Sequence, residues 1–504
     1  MVKRGKRLAS PFLFRTMSRL IKILTPCIIG LSLAALYINT LAPGLSWAYD
    51  GADGGDLVTA AATGGIPHPT GYPTYLLIAS AFLKIPFGSL AYRTNLLSSF
   101  CTVIAALMIY TIVRSMHQSI FSAFIASLVF GTFPLVWSQA IITEVIALNA
   151  LFVTLLFFLF IAGGSHRWMD LIGGIVAGLG IGNHLSTIFI LPLMFVDRTH
   201  PGNLPLNKEL RKKPFSSYIK LIAHRLIGLC FGLSIYLLIP IRARAQAPVN
   251  WGNAVNWNGL IWLVSGKMYW GRLINFNGSY LLAGIQAWSH FLIQQLGIIG
   301  LLLIFIVLGV LFKPSRLYIT TGWLVLVYSA FSILYYSPDS YIYLIPALIS
   351  FSIWIGLGSK WITEKVSQRF PFLKPVMIIA ISAFFILRPI LAIPVMSLSA
   401  DRDVEQYAQT ILNLAPAQAI LFSEGDEATF SLWYFHYVYH QRPDIAVISS
   451  DLLVQPWYST VLRHNYPDLV IPDDPQEPDI ILDNPQRPIC RLAPDLQASI
   501  ECSP

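Results

Sequence analysis

Long apolar runs broken by short polar ones fill the first 396 residues, and the pattern then changes. A membrane span needs about 20 consecutive apolar residues. Runs of that kind fall at 23–41, 94–113, 119–137, 139–162, 169–183, 185–196, 226–241, 291–312, 317–335, 341–358 and 375–396. They predict an α-helical polytopic membrane protein with about 11 transmembrane helices. The pair 169–183 and 185–196 is short for two crossings and also reads as one long tilted helix. Two longer segments, 43–93 and 242–290, stand outside the membrane and are rich in Gly, Pro, Trp and Tyr. Beyond residue 396 the elements shorten. Helices are predicted at 401–414, 428–438 and 457–464 and strands at 419–422 and 445–449, which together make a small α/β domain. The last forty residues carry Pro472, Pro475, Pro478, Pro485 and Pro488 and read as an extended arm. The division is thus a membrane body, 1–396, and a tail domain, 397–504.

Composition narrows the class. Charged residues make up 12% and hydrophobic ones 55%, with mean hydropathy +0.63. A soluble domain is about a quarter charged, so a water-soluble globule, a disordered chain and a dedicated nucleic-acid binder are all excluded. The net charge of +9 hides two opposite parts. Residues 1–399 hold 29 Lys/Arg against nine Asp/Glu, whereas 400–504 hold five Arg against sixteen Asp/Glu. Basic flanks stay in the cytoplasm. The cluster Lys3, Arg4, Lys6, Arg7 therefore places the N-terminus inside, before a retained signal-anchor. The basic segment 198–225, Lys313/Arg316 and Lys360/Lys365/Arg369/Lys374 fall on the same side. An odd number of spans puts the acidic tail outside, and the short loops suit a bacterial inner membrane. Cys27, Cys101 and Cys230 fall inside spans and read as small apolar residues. Cys490 and Cys502 lie in the outer tail, where a disulfide is permitted. No CxxC or Cys/His zinc spacing occurs.

Three of the nine acids in the body sit together in Tyr49-Asp50-Gly51-Ala52-Asp53-Gly54-Gly55-Asp56. A glycine-rich acidic turn is one reading. The other is a general base at the membrane surface, because carboxylates at i and i+3 of a helix start share a face and crowding raises one pKa. Twelve residues after Asp56 comes Pro67-His68-Pro69-Thr70-Gly71-Tyr72-Pro73, a stiff turn that presents His68 and Tyr72. Glu144 stands in a long apolar stretch, where an acid is either functional or a helix cap. Asn183-His184 closes another helix end, and Asp339 reads as a cap. Arg242 and Arg244 precede Asn250-Trp251-Gly252, and Lys267, Tyr269 and Arg272 follow in the same loop. Paired arginines suit a phosphate, and snorkelling toward lipid headgroups is the alternative. No P-loop or Rossmann fingerprint is present.

Asp53-Gly54-Gly55-Asp56 followed by His68-Pro69-Thr70-Gly71-Tyr72-Pro73 resembles the D-S-G-E … H-P-P-G-Y-P signature of a membrane family once catalogued as a domain of unknown function. Its animal member is a protein O-mannosyltransferase. Trp137-Ser138-Gln139, Glu144-Val145, Gly182-Asn183-His184, Asn250-Trp251-Gly252, Gly425-Asp426, Leu432-Trp433-Tyr434 and Arg442-Pro443-Asp444 extend the resemblance over nearly the whole chain. Asp56 replaces the usual Glu, Thr70 a Pro and Ile146 a frequent Tyr. The family is similar to the GT-C glycosyltransferases, which are polytopic and use polyprenyl-phosphate-linked sugars. The resemblance implies that Asp53 is the catalytic acid of the motif.

The function expected is inverting transfer of a sugar, with mannose a candidate, from a polyprenyl-phosphate donor to a hydroxyl of a protein Ser/Thr or a glycan. Asp53, helped by Asp56, would take the acceptor proton. Arg242 or Arg244 would hold the leaving phosphate. His68, Tyr72, Glu144, Asn183, His184, Trp251 and Tyr269 would line the substrate site. The residues name no cofactor, and a divalent cation bridging acids and phosphate is compatible. Membrane lipid is a partner and nucleic acid is not. The rivals are a transporter or flippase of a lipid-linked glycan and a non-catalytic glycan-binding membrane protein.

Overall fold

The computed structural model describes residues 11–117, 119–162, 167–196, 215–272, 278–311, 315–335, 337–493, 496 and 498–503. The basic residues up to Arg7, residues 198–214 of the basic segment, and Lys313 lie outside the described residues. Eight described helices are long and apolar enough to cross a membrane: Leu20–Thr40, Leu90–His117, Val145–Ala162, Ser216–Arg244, Gly278–Leu311, Arg316–Leu334, Ser340–Arg369 and Leu373–Met396. The pair Ile120–Thr132 and Pro134–Ala140, bent by 62°, makes a ninth when counted as one span. The bend falls where Pro134 follows Phe133, which stands at φ −59° and ψ 132°, because proline excludes the helical region for the residue before it.

With the bent pair counted as one span, the expected eleven fall to nine among the described residues, and the difference lies in one pair. Arg167–Asn183 is a helix of 17 residues, about 26 Å at 1.5 Å per residue, short of a hydrocarbon core of about 30 Å. Leu185–Phe195 is a 3-10 helix with Pro192 inside it. Dropping both members of the pair leaves an odd count unchanged.

Packing between these helices depends on glycine. Gly174 and Gly178 on Arg167–Asn183 face Gly228 and Gly232 on Phe215–Leu233. A Cβ on Gly174 would lie 2.0 Å from the Arg225 carbonyl oxygen, and one on Gly232 would lie 2.2 Å from that of Ile175. Both helices carry the small-xxx-small spacing that brings backbones together in lipid. Next to this contact the buried Arg225 donates through Nε to Asp170 Oδ1 at 2.9 Å.

The tail is a mixed sheet in the order β2-β1-β3-β4, with β1 (Ile420–Ser423), β2 (Ala446–Ser449), β3 (Ile489–Leu492) and β4 (Ile500–Ser503). β1 runs parallel to β2 and β3, and β4 is antiparallel to β3. Strands β1 and β2 are buried along their whole length, as parallel strands are. The predicted helices are present as Asp403–Leu414, Asp426–Trp433 and Tyr458–Asn465. The stretch read as an extended arm instead holds the helix Glu477–Asp483 and the strands β3 and β4. Its prolines start or flank these elements, where a missing N–H costs nothing. Cys490 and Cys502 face each other across β3 and β4 and are joined by a disulfide.

Backbone and side-chain bonds fasten the tail to the body. Leu398 N–H donates to Thr40 O at 2.9 Å, Ala91 N–H to Tyr434 Oη at 3.1 Å, and Asn465 Nδ2 to Pro248 O at 2.9 Å. Gly178→Leu should separate the two glycine-faced helices and lower stability by about 2–3 kcal/mol, the scale of overpacking. Gly322→Ala, with no atom within 4 Å of the added methyl, should be neutral or raise stability by up to about 1 kcal/mol. Thermal unfolding in detergent compares them, and equal melting temperatures would reject the glycine contact.

Candidate active site

Residues 47–56 form a tight loop leading into the helix Gly54–Thr63. Tyr49 and Asp50 both stand at φ 59°, in the left-handed region that costs non-glycine residues energy. Such residues persist only where their surroundings hold them. Gln139 Nε2 donates to Tyr49 O at 3.1 Å, and Tyr341 donates its hydroxyl to Asp50. Gly55 has to be glycine, because a Cβ would lie 2.5 Å from the carbonyl oxygen of Phe430 on the tail helix Asp426–Trp433. Trp47 Nε1 donates to Glu427 O and Ser431 Oγ, both at 3.1 Å. The first turn of the tail helix is thus pinned over the acidic loop.

Asp53 and Asp56 do not act as a pair on one face. Asp56 is wholly buried, and its carboxylate is fully engaged. Oδ2 accepts from the His68 backbone N–H at 2.8 Å and pairs with His68 Nδ1 at 2.7 Å, and Oδ1 accepts from Trp251 Nε1 at 3.1 Å. The opposite ring nitrogen, His68 Nε2, lies 3.3 Å from Asp53 Oδ2 and 2.9 Å from the Tyr72 hydroxyl. Tyr72 donates to Pro69 O at 3.0 Å, so its oxygen is available to accept from Nε2–H. Asp53 is the carboxylate that faces open space, with its side chain 40% exposed.

That space is a cavity of about 470 Å³ at the junction of body and tail. Asp53, His68, Tyr72, His184 and Tyr269 line it, as do Asp50, Asp339, Asp426, Glu427, Arg272, Tyr335 and Tyr343. Five carboxylates therefore face one guanidinium and His68. Burial disfavours the His68 imidazolium, but Asp53 and Asp56 more than compensate and lift it to about 9. Burial raises the Asp53 carboxyl, His68 opposes the rise, and the neighbouring acids add to it. Asp426 is pushed up to about 7 by burial and then by the charge of Asp53. His184 pairs through Nδ1 with Ser186 Oγ at 2.8 Å, and burial with nearby His68 holds it down at about 4. It stays neutral while His68 is charged. Among the described residues no group of three or more His, Cys, Asp or Glu is placed to hold a metal ion.

The other residues singled out in the sequence take different places. Trp251 lies beneath the cavity as a hydrogen-bond donor to Asp56. Glu144 is buried and caps the helix Val145–Phe157, accepting from Val145 N–H at 3.1 Å. Asn183 donates to Val145 O at 3.1 Å. Arg242 donates to Gly65 O at 3.1 Å, Arg244 is exposed, and neither lines the cavity. The cavity's arginine is Arg272. Asp426 and Glu427, more than 370 residues from Asp53 in the chain, were overlooked as site residues. The signal for them was Gly425-Asp426, one of the motifs in the family resemblance.

Fold and cavity together define a class: a polytopic membrane protein with an acid-lined site where helices meet an attached tail. The fold is similar to that of ArnT from Cupriavidus metallidurans, solved bound to undecaprenyl phosphate. The match has a TM-score of 0.55 and 10% identity, and covers 86% of this chain and 91% of that one. The model of the protein O-mannosyl-transferase TMEM260 N-terminal domain matches residues 53–197, and that of TMEM260-associated domain 2 matches 404–472. The chain is 25% identical to the protein O-mannosyl-transferase TMEM260 of Mus musculus over 89% of its length, and 24% identical to that of Dictyostelium discoideum over 86%. It spans 65% and 58% of those two relatives. The chain is a homologue of the TMEM260 family of protein O-mannosyl-transferases.

A group whose folded pKa lies above its unfolded value stabilises the fold fully below the unfolded value and less as pH rises through the folded one. For His68 that window runs from about 6.5 to about 9. Melting temperature should fall across it in the wild type, and His68→Gln should remove that part of the fall. Parallel curves would show that His68 is not held between the two carboxylates.

Proposed function

We infer that the protein transfers a sugar from a polyprenyl phosphate to a hydroxyl acceptor, with Asp53 as the general base. The observation that carries this is the division of labour between the two motif acids. Asp56 is spent on fixing His68, and Asp53 faces the cavity beside the imidazolium. The acceptor oxygen attacks the anomeric carbon as the bond from that carbon to the phosphate oxygen breaks. The bonding pair leaves with the polyprenyl phosphate, and Asp53 takes the acceptor proton. Its raised pKa suits a base, because proton-transfer efficiency follows basicity. Attack by the acceptor itself, with no enzyme-bound sugar, makes the reaction inverting. Arg272 is the cavity's arginine and would meet the charge growing on the phosphate. Homology to protein O-mannosyl-transferases supports a mannosyl donor and a Ser/Thr acceptor. The undecaprenyl phosphate in the ArnT structure supports the lipid class.

The reading places the cavity and tail outside the cytoplasm. The Cys490–Cys502 disulfide supports that side, since such bonds persist in oxidising compartments. In intact cells a membrane-impermeant thiol reagent should label these cysteines only after external reduction. Labelling confined to permeabilised cells would reverse the orientation.

Purified protein supplied with labelled polyprenyl-phosphate sugars should consume one of them. Asp53→Asn should lower turnover about a hundredfold or more, the scale of a lost general base, while leaving melting temperature near that of the wild type. Asp426→Asn should remove a titration near pH 7 from the rate profile, because the carboxyl pushed up to about 7 is gone. Full activity of Asp53→Asn, or no donor consumed, would sink the reading.

A further inference from the structure

One segment between two spans carries large apolar side chains on the side that no protein covers, with Asn258 its one exposed polar residue there. The helix Trp257–Val264 reads Trp-Asn-Gly-Leu-Ile-Trp-Leu-Val and holds no charged residue. One face is anchored in the protein: Leu263 is fully buried, and Trp262 packs edge-on against Trp457 of the tail at 5.6 Å. Trp257 and Ile261, one turn apart on the other face, are 76% and 60% exposed. A helix face carrying large apolar side chains is normally covered, by a protein core or by lipid. Here the protein covers one of the two faces.

The chain on either side shows what covers the rest. Thirteen residues before Trp257 the span Ser216–Arg244 ends, and fourteen after Val264 the span Gly278–Leu311 begins. Both spans carry exposed apolar residues near those ends, among them Ile241 and Leu282. The segment is thus tethered at both ends to lipid-facing helices on one side of the membrane. Exposed Met268 and Trp270 follow, between Lys267 and Arg272. Tryptophan beside cations is the composition of a membrane–water interface.

We propose that 257–272 lies in the lipid interface on the cavity side and forms the lipid-facing lip of the cavity. Ser265, Gly266, Tyr269 and Trp270 line that cavity from the inner side of the segment. A lipid-borne substrate then enters laterally over this lip. That consequence rests on the glycosyltransferase reading, whereas the membrane contact does not.

Tryptophan fluorescence tests the contact in nanodiscs of phosphatidylcholine brominated either near the headgroup or deep in the acyl chain. The quenching that disappears in Trp257→Phe should be stronger for the shallow bromines. If Trp257→Phe leaves quenching by both lipids unchanged, or its missing signal tracks protein concentration as in contact with a second copy, the proposal fails. The double substitution Trp257→Ser with Ile261→Ser tests the consequence. It should raise KM for a long-chain polyprenyl donor about tenfold, the scale of one apolar side chain losing its cover, and leave kinetics with a short-chain soluble donor unchanged. Equal KM changes for both donors would overturn lateral entry. Wild-type turnover of neither donor would count against the glycosyltransferase reading and leave the quenching result standing.

Discussion

A carboxylate cut off from water must have its lone pairs met by donors, because stranding a buried charge costs about 3–5 kcal/mol. Asp56 is in that position, and its donors come from two distant parts of the chain. His68 belongs to the segment 43–93 and Trp251 to the segment 242–290, 195 residues away from Asp56. Trp251 in turn packs against Phe430, Trp433 and Trp457 of the tail, with ring centres 5.7–6.5 Å apart. One buried acid therefore holds two loops and a domain in register.

The same anchoring sets the charge of the cavity. With one ring nitrogen of His68 committed to Asp56, the other is turned to Asp53 and Tyr72. The imidazolium offsets one of the acids around it. Four other carboxylates remain on the walls, contributed by the first loop, the turn at Asp339 and the tail helix. Arg272 is the guanidinium that faces these acids in the cavity. Of the three arginines, Arg272 lines the cavity, whereas Arg242 is half-buried against Gly65 O and Arg244 is exposed outside it. The tail is a wall of the site and contributes two of its acids.

Much of this was legible in the chain. The spans from Leu90 onward appear as apolar runs because lipid demands them, and the sheet strands as short buried runs. The acid and histidine motifs announced the site because charge is rare in the body. What escaped had physical causes. The side of the helix on which Asp56 is buried depends on Trp251, which no local pattern reveals. The pair 169–183 and 185–196 is apolar enough to suggest two spans, but Pro192 and glycine-tight packing make a short helix and a 3-10 turn instead. The last strands were hidden by prolines that mark their borders. Asp426 and Glu427 read as ordinary first-turn acids of a helix, which they also are, and only tertiary folding carries them to Asp53.

The transporter alternative draws on broken helices and buried charges, and the described residues hold both. The bend at Phe133 and Pro134 frees backbone N–H groups, yet Leu135 N–H donates to Gln295 Oε1 at 2.9 Å, so the break is closed by a neighbouring helix. Asp170 and Arg225 form a charge pair at 2.9 Å, and Arg225 also donates to the carbonyls of Met194 and Val196. These groups satisfy one another inside the packed bundle, as buried polar groups in lipid must. A moving substrate needs groups that are free to exchange partners along a path. Five carboxylates, Asp53 among them, line one cavity beside the tail. That distribution fits chemistry at a membrane surface better than passage through the membrane.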